Sequence, residues 1–416
     1  MFIKVKNTSR KDAARLGWTV LALAFTAAMI FNPRIVFEGS VTGLKTWWNI
    51  VFPSLLPFFI ASELLMSFGV VNFMGVLLEP VMRPLFKVPG AGAFVVAVGF
   101  TSGYPIGAML TARLRADGLC TRVEAERLMS FTNNSSPLFM LVAVSVGMFN
   151  NPGLGMLIAA AHYLSNLTLG LLLRFYAAGD TERLAEPPVS GRGVVRQAFS
   201  KMLQTQRQEK RPAGKIMGDA VKKSVTNLLN IGGFIILFAV LIRLMSAAGI
   251  IEIIARALGV FLLPLGFARE ILPALGSGFF EMTIGSKLAS EAAAPLLQQV
   301  VAVGMILAWS GLSVHAQAAS MIADTDIRMR PFIFSRICHT CLAGFYTYLA
   351  CRWAGSLEET AAPVMAAAGL LRDAGVVGFN LKVFFLFILL LTTIITTALL
   401  LHTARSLRLY ITRIKL

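Results

Sequence analysis

Long apolar stretches alternate with short clusters of charge along the chain, and the lengths of those stretches set the architecture. Residues 16–33, 224–242, 292–323 and 383–401 carry no Asp, Glu, Lys or Arg. About 20 such residues, rising 1.5 Å each, cross a hydrocarbon core of about 30 Å. Residues 16–33 predict a first spanning helix. Residues 47–70 predict a second, running back, with Trp47 and Trp48 at an interface, where aromatic rings settle. Residues 71–88 are shorter and carry Glu79, Arg83 and Lys87, so they are expected along the membrane surface. Residues 111–130 alternate charged and apolar positions at helical spacing, which predicts another interfacial piece. Residues 131–149 start polar and turn apolar, and 153–176 read as an ordinary span ending near Arg174.

One charge-free run of 25 residues is long enough to span yet poorly made for it. Its middle, "GFTSGYPIGAML" (99–110), packs glycines, a proline and the hydroxyls of Thr101, Ser102 and Tyr104 into one turn region. Lipid cannot hydrogen-bond a free N–H or C=O, so irregular backbone at that depth must be buried in protein or line a wet cavity. "GSGFFEMTIGS" (276–286) has the same design, and both read as re-entrant hairpins whose tips approach each other. Three alignments support a duplication: Leu65 on Leu244, Gly107 on Gly285 and Asn133 near Ser310, at offsets of 179, 178 and 177 residues. The two copies enter the membrane from opposite sides. The fold expected is therefore an all-α polytopic membrane protein of inverted repeats, with two re-entrant hairpins and discontinuous helices.

Composition agrees, with 56% hydrophobic and only 14% charged residues against about 25% charged in soluble domains. The net charge of +17 gathers at the N-terminus, in residues 177–223 and in the C-terminal tail. These are topology signals that predict three cytoplasmic regions and contact with anionic lipid headgroups, not nucleic acid. No small-residue cleavage site clearly follows the first apolar stretch. The organisation expected is an N-terminal segment with the first helix (1–43), a first repeat (44–176) and a basic cytoplasmic loop (177–223). A second repeat (224–352) follows, then an external loop, last helix and basic cytoplasmic tail (353–416).

Candidate site residues follow from the breaks. "NNSSP" (Asn133, Asn134, Ser135, Ser136) and "SGLSVHAQ" (Ser310, Ser313, His315, Gln317) place amides and hydroxyls at half-helix N-termini, where exposed N–H groups favour anions. The hairpins add Ser102, Gly103, Tyr104, Thr283 and Gly285. Glu281 is either linked to a proton, cation or substrate or bonded to a hairpin N–H. Lys287 either pairs with Glu281 or an anionic substrate, or reaches to the interface. His315 is either a proton shuttle or a satisfied core histidine, while Glu63, His162 and His339 read as packing or pairing residues. The four cysteines form no disulfide framework, and "CHTC" (338–341) reads as helix packing. No phosphate loop, nucleophile elbow or metal-ligand cluster appears, so catalysis, metal and cofactor are not expected.

"SGYPIGA", "AERLMSFTNNSSPLFMLVAVSVGMF" and "GLSVHAQ" at these separations resemble the YlbJ (SpoVV) family of sporulation integral membrane proteins, over residues 47–352. The resemblance implies a fold related to concentrative nucleoside transporters. It also implies movement of dipicolinic acid, pyridine-2,6-dicarboxylate, from the mother cell across the outer forespore membrane. Ser102, Gly103, Tyr104 and residues 133–136 would inherit one half of the site, and Ser313, His315 and Gln317 part of the other. Met109 departs from the family pattern, which has a lysine there, leaving Lys287 as the equivalent cation. Competing expectations are a transporter of nucleosides or other metabolites on the same fold, and a non-transporting scaffold for spore-envelope proteins. The partners expected are the small carboxylate, membrane lipids including anionic ones, and further copies of the chain. Coupling to protons or sodium stays open.

Overall fold

The computed structural model describes residues 10–182 and 194–353; the expected last span, 383–401, lies outside them. All regular structure among these residues is helical. Helix α1 (Arg10–Phe31) turns by 103° into α2 (Pro33–Thr46). Pro33 opens α2 at a position where its missing N–H is not needed. A short π-helical turn then leads to α3 (Phe52–Ser67). Gly69, at φ 75°, bends the chain by 80° into α4 (Val70–Phe86). The first hairpin is α5 (Gly92–Ser102) and α6 (Ile106–Ala116). Next come α7 (Arg122–Thr132), a break, the π-helical segment Phe139–Met148 and α8 (Gly153–Leu173).

Helix α9 (Val194–Gln208) precedes α10 (Ala213–Ala247). Gly249, at φ 69°, then bends the chain into α11 (Ile250–Leu262), as Gly69 does in the first half. The second hairpin is α12 (Leu272–Phe280) and α13 (Met282–Glu291). Helix α14 (Leu296–Trp309) breaks at Ser310, continues as α15 (Gly311–Met321), and is followed by α16 (Met329–Trp353). The order bent helix, hairpin, broken helix and long helix thus occurs twice, and the predicted inverted repeats with two hairpins are present. Among the described residues, three helices are long and apolar enough to cross a membrane, or up to five if each bent pair counts as one span.

Two details differ from expectation. Helix α7 is buried along nearly its whole length, so residues 122–130 are not part of an interfacial strip, while Arg113 and residues 116–118 before them are exposed. Its charges are taken up by distant partners: Glu124 pairs with Arg83, Glu126 with Arg328 at 2.6 Å, and Arg127 donates to the carbonyls of Lys87 and Tyr176. The basic loop is also largely helical beyond residue 193. Its α9 docks on α4, with Asn72 donating to Thr205 at 2.8 Å and Phe73 meeting Phe199 at 5.0 Å. The expected boundary at residue 223 falls inside α10, whose 35 residues span about 52 Å, well beyond a bilayer core.

Helix α2 lies along α10 through glycines four residues apart. A Cβ on Gly43 would stand 2.8 Å from Ile236 Cα, and one on Gly39 3.1 Å from Val240 Cα. This small-residue spacing lets backbones approach where lipid offers no hydrophobic drive. Trp47 covers Gly232 and donates its indole N–H to Leu228 O at 2.9 Å.

Candidate functional site: two helix breaks facing each other

Each hairpin tip is pressed against the break of its own repeat. At the first tip, Gly103 adopts φ 88°, and a Cβ there would stand 2.8 Å from Ser136 Cβ. Gly99 and Gly107 receive the last turn of α7, with the Thr132 carbonyl against both. In the second repeat Gly311, at φ 77°, meets Phe280 O in the same way, at 2.8 Å from an added Cβ. Gly285 packs on Gly278. Glycine is required at the tips and breaks because any side chain would separate them, and at Gly285 because one would part the two hairpin helices.

The breaks themselves are buried within the protein. Asn133, Asn134, Ser135 and Ser310 are fully buried. Asn133 ends α7, and Ser310, in a left-handed conformation, ends α14 at the aligned position. Around them, several side-chain atoms have no hydrogen-bond partner among the described residues: Ser102 Oγ, Asn133 Nδ2, Asn134 Oδ1, Ser135 Oγ and His315 Nε2. Buried polar atoms are almost always satisfied by protein, water or ligand, so these atoms are polar capacity that water or a ligand can satisfy. The π-helical segment and α15 both start here, so two helix N-termini face the same region.

The remaining candidates divide into those the structure brings to this centre and those it does not. Tyr104 crosses between repeats and donates its hydroxyl to Leu307 O at 2.8 Å. Ser136 accepts from Phe139 N–H at 3.2 Å. Ser313 accepts from Gln317 at 3.2 Å, both buried on α15. His315 holds Gly311 O through Nδ1 at 2.8 Å and packs on Trp309. Glu281 acts as N-cap of α13, accepting from Ile284 N–H at 2.8 Å, and Thr283 and Gly285 follow it in the first turn. Lys287 does not pair with Glu281. It lies half-exposed and pairs with Glu291 one turn on, at 2.9 Å. Glu63 pairs with Lys223 at 3.3 Å. Cys338 and Cys341 are free thiols, and no metal-binding cluster occurs among the described residues.

Three further residues belong to the centre. His162 of α8 accepts from Ser135 N–H at 3.3 Å, and His339 of α16 lies 4.9 Å from it, ring to ring. His162 is thus a polar partner of the break, while His339 bonds His162 O and Ser165 of α8. Arg336, fully buried on α16, donates to the carbonyls of Ser130, Asn133 and Ala308. It thereby ties the C-terminal ends of α7 and α14 together. One signal for it was present in the sequence: it is a single charge inside the otherwise apolar "FIFSRICHTCLAG", and intramembrane charges are functional by default. A groove of about 910 Å³ between α8 and α16, lined by Leu169, Phe334 and Cys338, is apolar and separate from the breaks.

Broken helices, paired hairpins and inverted halves define a class: helical membrane proteins with a gate domain of the nucleoside-transporter type. A family model described as nucleoside recognition, Gate, matches residues 49–163, which hold the Gly69 bend, the first hairpin and the first break. The chain is also 49% identical over 331 residues to sporulation integral membrane protein YlbJ of Bacillus subtilis, covering 79% of this chain and 80% of that protein. An uncharacterized protein of Alkalihalophilus pseudofirmus is 29% identical over 137 residues, covering 31% of this chain and 29% of its own. The chain belongs to the YlbJ family of sporulation integral membrane proteins.

Proposed function

We propose that the protein transports dipicolinate, a planar dicarboxylate, from the mother cell across the outer forespore membrane, by alternating exposure of the centre between the two helix breaks. The observation that carries this reading is the cluster of buried, unpartnered polar atoms where both repeats break. Converging half-helix N-termini, hydroxyls and amides suit an anion, and inverted repeats offer two equivalent ways of opening. The end of the molecule bearing residues 177–182 and α9 faces the cytoplasm in this reading. The family's role in sporulation supports the substrate. The match described as nucleoside recognition favours a second reading, a nucleoside transporter on the same scaffold. Uptake of labelled dipicolinate into liposomes containing the purified protein, with uridine as competitor, separates them. Saturable uptake indifferent to uridine is expected. Uptake of uridine in preference to dipicolinate overturns the assignment.

A further inference from the structure

Arg336 is a buried cation without a carboxylate. Its side chain is inaccessible, and it makes no ion pair among the described residues. The ionisable groups that act on it or that it acts on are Tyr104, His162, His315 and His339, none an acid that is charged near neutral pH. Its bonds go instead to backbone carbonyls at the ends of α7 and α14, and its charge lies 5.3 Å from the Phe332 ring. Nε has no partner. Partial charges of helix ends compensate a cation only in part. The lysine expected to serve the site, Lys287, is half-exposed and paired with Glu291.

Resting on the transport reading above, we infer that Arg336 supplies the positive charge that selects an anionic substrate. The carbonyls it now holds belong to the two helix ends that must part when the centre opens. Parting them frees guanidinium donors beside the unpartnered amide of Asn133 and hydroxyl of Ser135. A carboxylate entering there replaces the carbonyls as acceptor, and a planar guanidinium matches it two bonds at a time. The substrate class is thus a small carboxylate, and a neutral molecule of the same outline is a poor ligand.

The test compares dipicolinate with pyridine-2,6-dicarboxamide, its neutral counterpart, by calorimetry on wild type, Arg336→Met and Arg336→Lys in nanodiscs. Removing one charged hydrogen-bond partner costs about 10- to 100-fold in affinity. Arg336→Met is expected to lose about that much for dipicolinate while the dicarboxamide changes little, and Arg336→Lys to lose less. If Arg336→Met does not fold, wild type and Arg336→Lys decide, through a dianion preference that shrinks in the lysine variant. Equal weakening of both ligands, or an unchanged preference for the dianion, overturns the inference and leaves Arg336 a tie between helices. Phthalate and malonate are measured alongside. Arginine-dependent binding of either without dipicolinate binding upholds Arg336 and sinks the dipicolinate reading. Wild type binding none of the carboxylates overturns both.

Discussion

Gly103 shows how much of the centre depends on a missing methyl group. It combines φ 88° and ψ −171°, a region left to glycine, with contact against Ser136 that leaves no room for a Cβ. Gly103→Ala is expected to cost about 1–3 kcal/mol and to lower the thermal midpoint in detergent; an unchanged midpoint contradicts the contact. Lys287→Ala, which removes an exposed pair within one helix, is expected to cost no more than about 1 kcal/mol and to leave transport intact. Most of the site was legible at this scale. Ser102, Asn133, Asn134, Ser135 and His315 stand out in the sequence at two polar breaks, and all have buried polar atoms without partners there. Arg336 shows only as a lone charge in an apolar run, because two of its carbonyl partners, Ser130 and Asn133, lie about 200 residues away and nothing local to "FIFSRICHT" indicates them. Of the alternatives for Lys287, pairing with Glu281 is not the one found: its partner, Glu291, lies one turn along the same helix.

At the scale of elements, the hairpins and breaks were legible because clusters of glycine, proline and hydroxyl residues inside apolar runs are tolerated at membrane depth only where the backbone turns or breaks within protein. Helix α7 was misread, since charges at helical spacing look the same whether they face headgroups or buried partners. Those partners form a network at the end of the molecule that bears residues 177–182. Arg115 of α6 holds Asp326, just after α15, at 2.8 Å and also Glu182 at 2.7 Å. Glu126 of α7 is fully buried and accepts from Arg328 at 2.6 Å and Tyr176 at 2.8 Å. The Arg115–Asp326 and Glu126–Arg328 contacts join the first repeat to the second. Each pair has one half-exposed member and is worth about 1 kcal/mol at most, but Glu126 also accepts from Tyr176 and from the Arg328 N–H, so Glu126→Ala is expected to lower the thermal midpoint more than Asp326→Asn. Equal effects of the two contradict this account of the network.

At the scale of the whole molecule, these inter-repeat bonds hold the loop-bearing end shut while Tyr104 and Arg336 hold the centre shut. In the proposed transport cycle, opening toward that end breaks Arg115–Asp326. The hydrogen bonds from Arg115 hold the Asp326 carboxyl below its ordinary range. A depressed carboxyl contributes above its unfolded value of about 4 and is lost only as pH falls through the lowered one. Closure at this end is therefore expected to be insensitive to pH between about 5 and 8 but sensitive to salt. Asp326→Asn is expected to speed maleimide labelling of a Ser136→Cys reporter by up to about fivefold, an effect that shrinks in molar salt; no acceleration contradicts the closing role. The inverted repeat was legible from three weak alignments because a duplicated membrane protein must bend, turn back and break at matching depths, as Gly69 and Gly249 do at their two bends.

The central claim, that the two breaks bind and pass a small dicarboxylate, is tested most directly by dipicolinate flux through liposomes bearing a Ser135→Ala/Ser136→Ala double variant beside wild type. Both hydroxyls sit at the first break, that of Ser135 without a partner. The fold and thermal midpoint are predicted to be kept and saturable flux to fall by at least about tenfold. Undiminished flux through the folded variant would contradict the placement of the site.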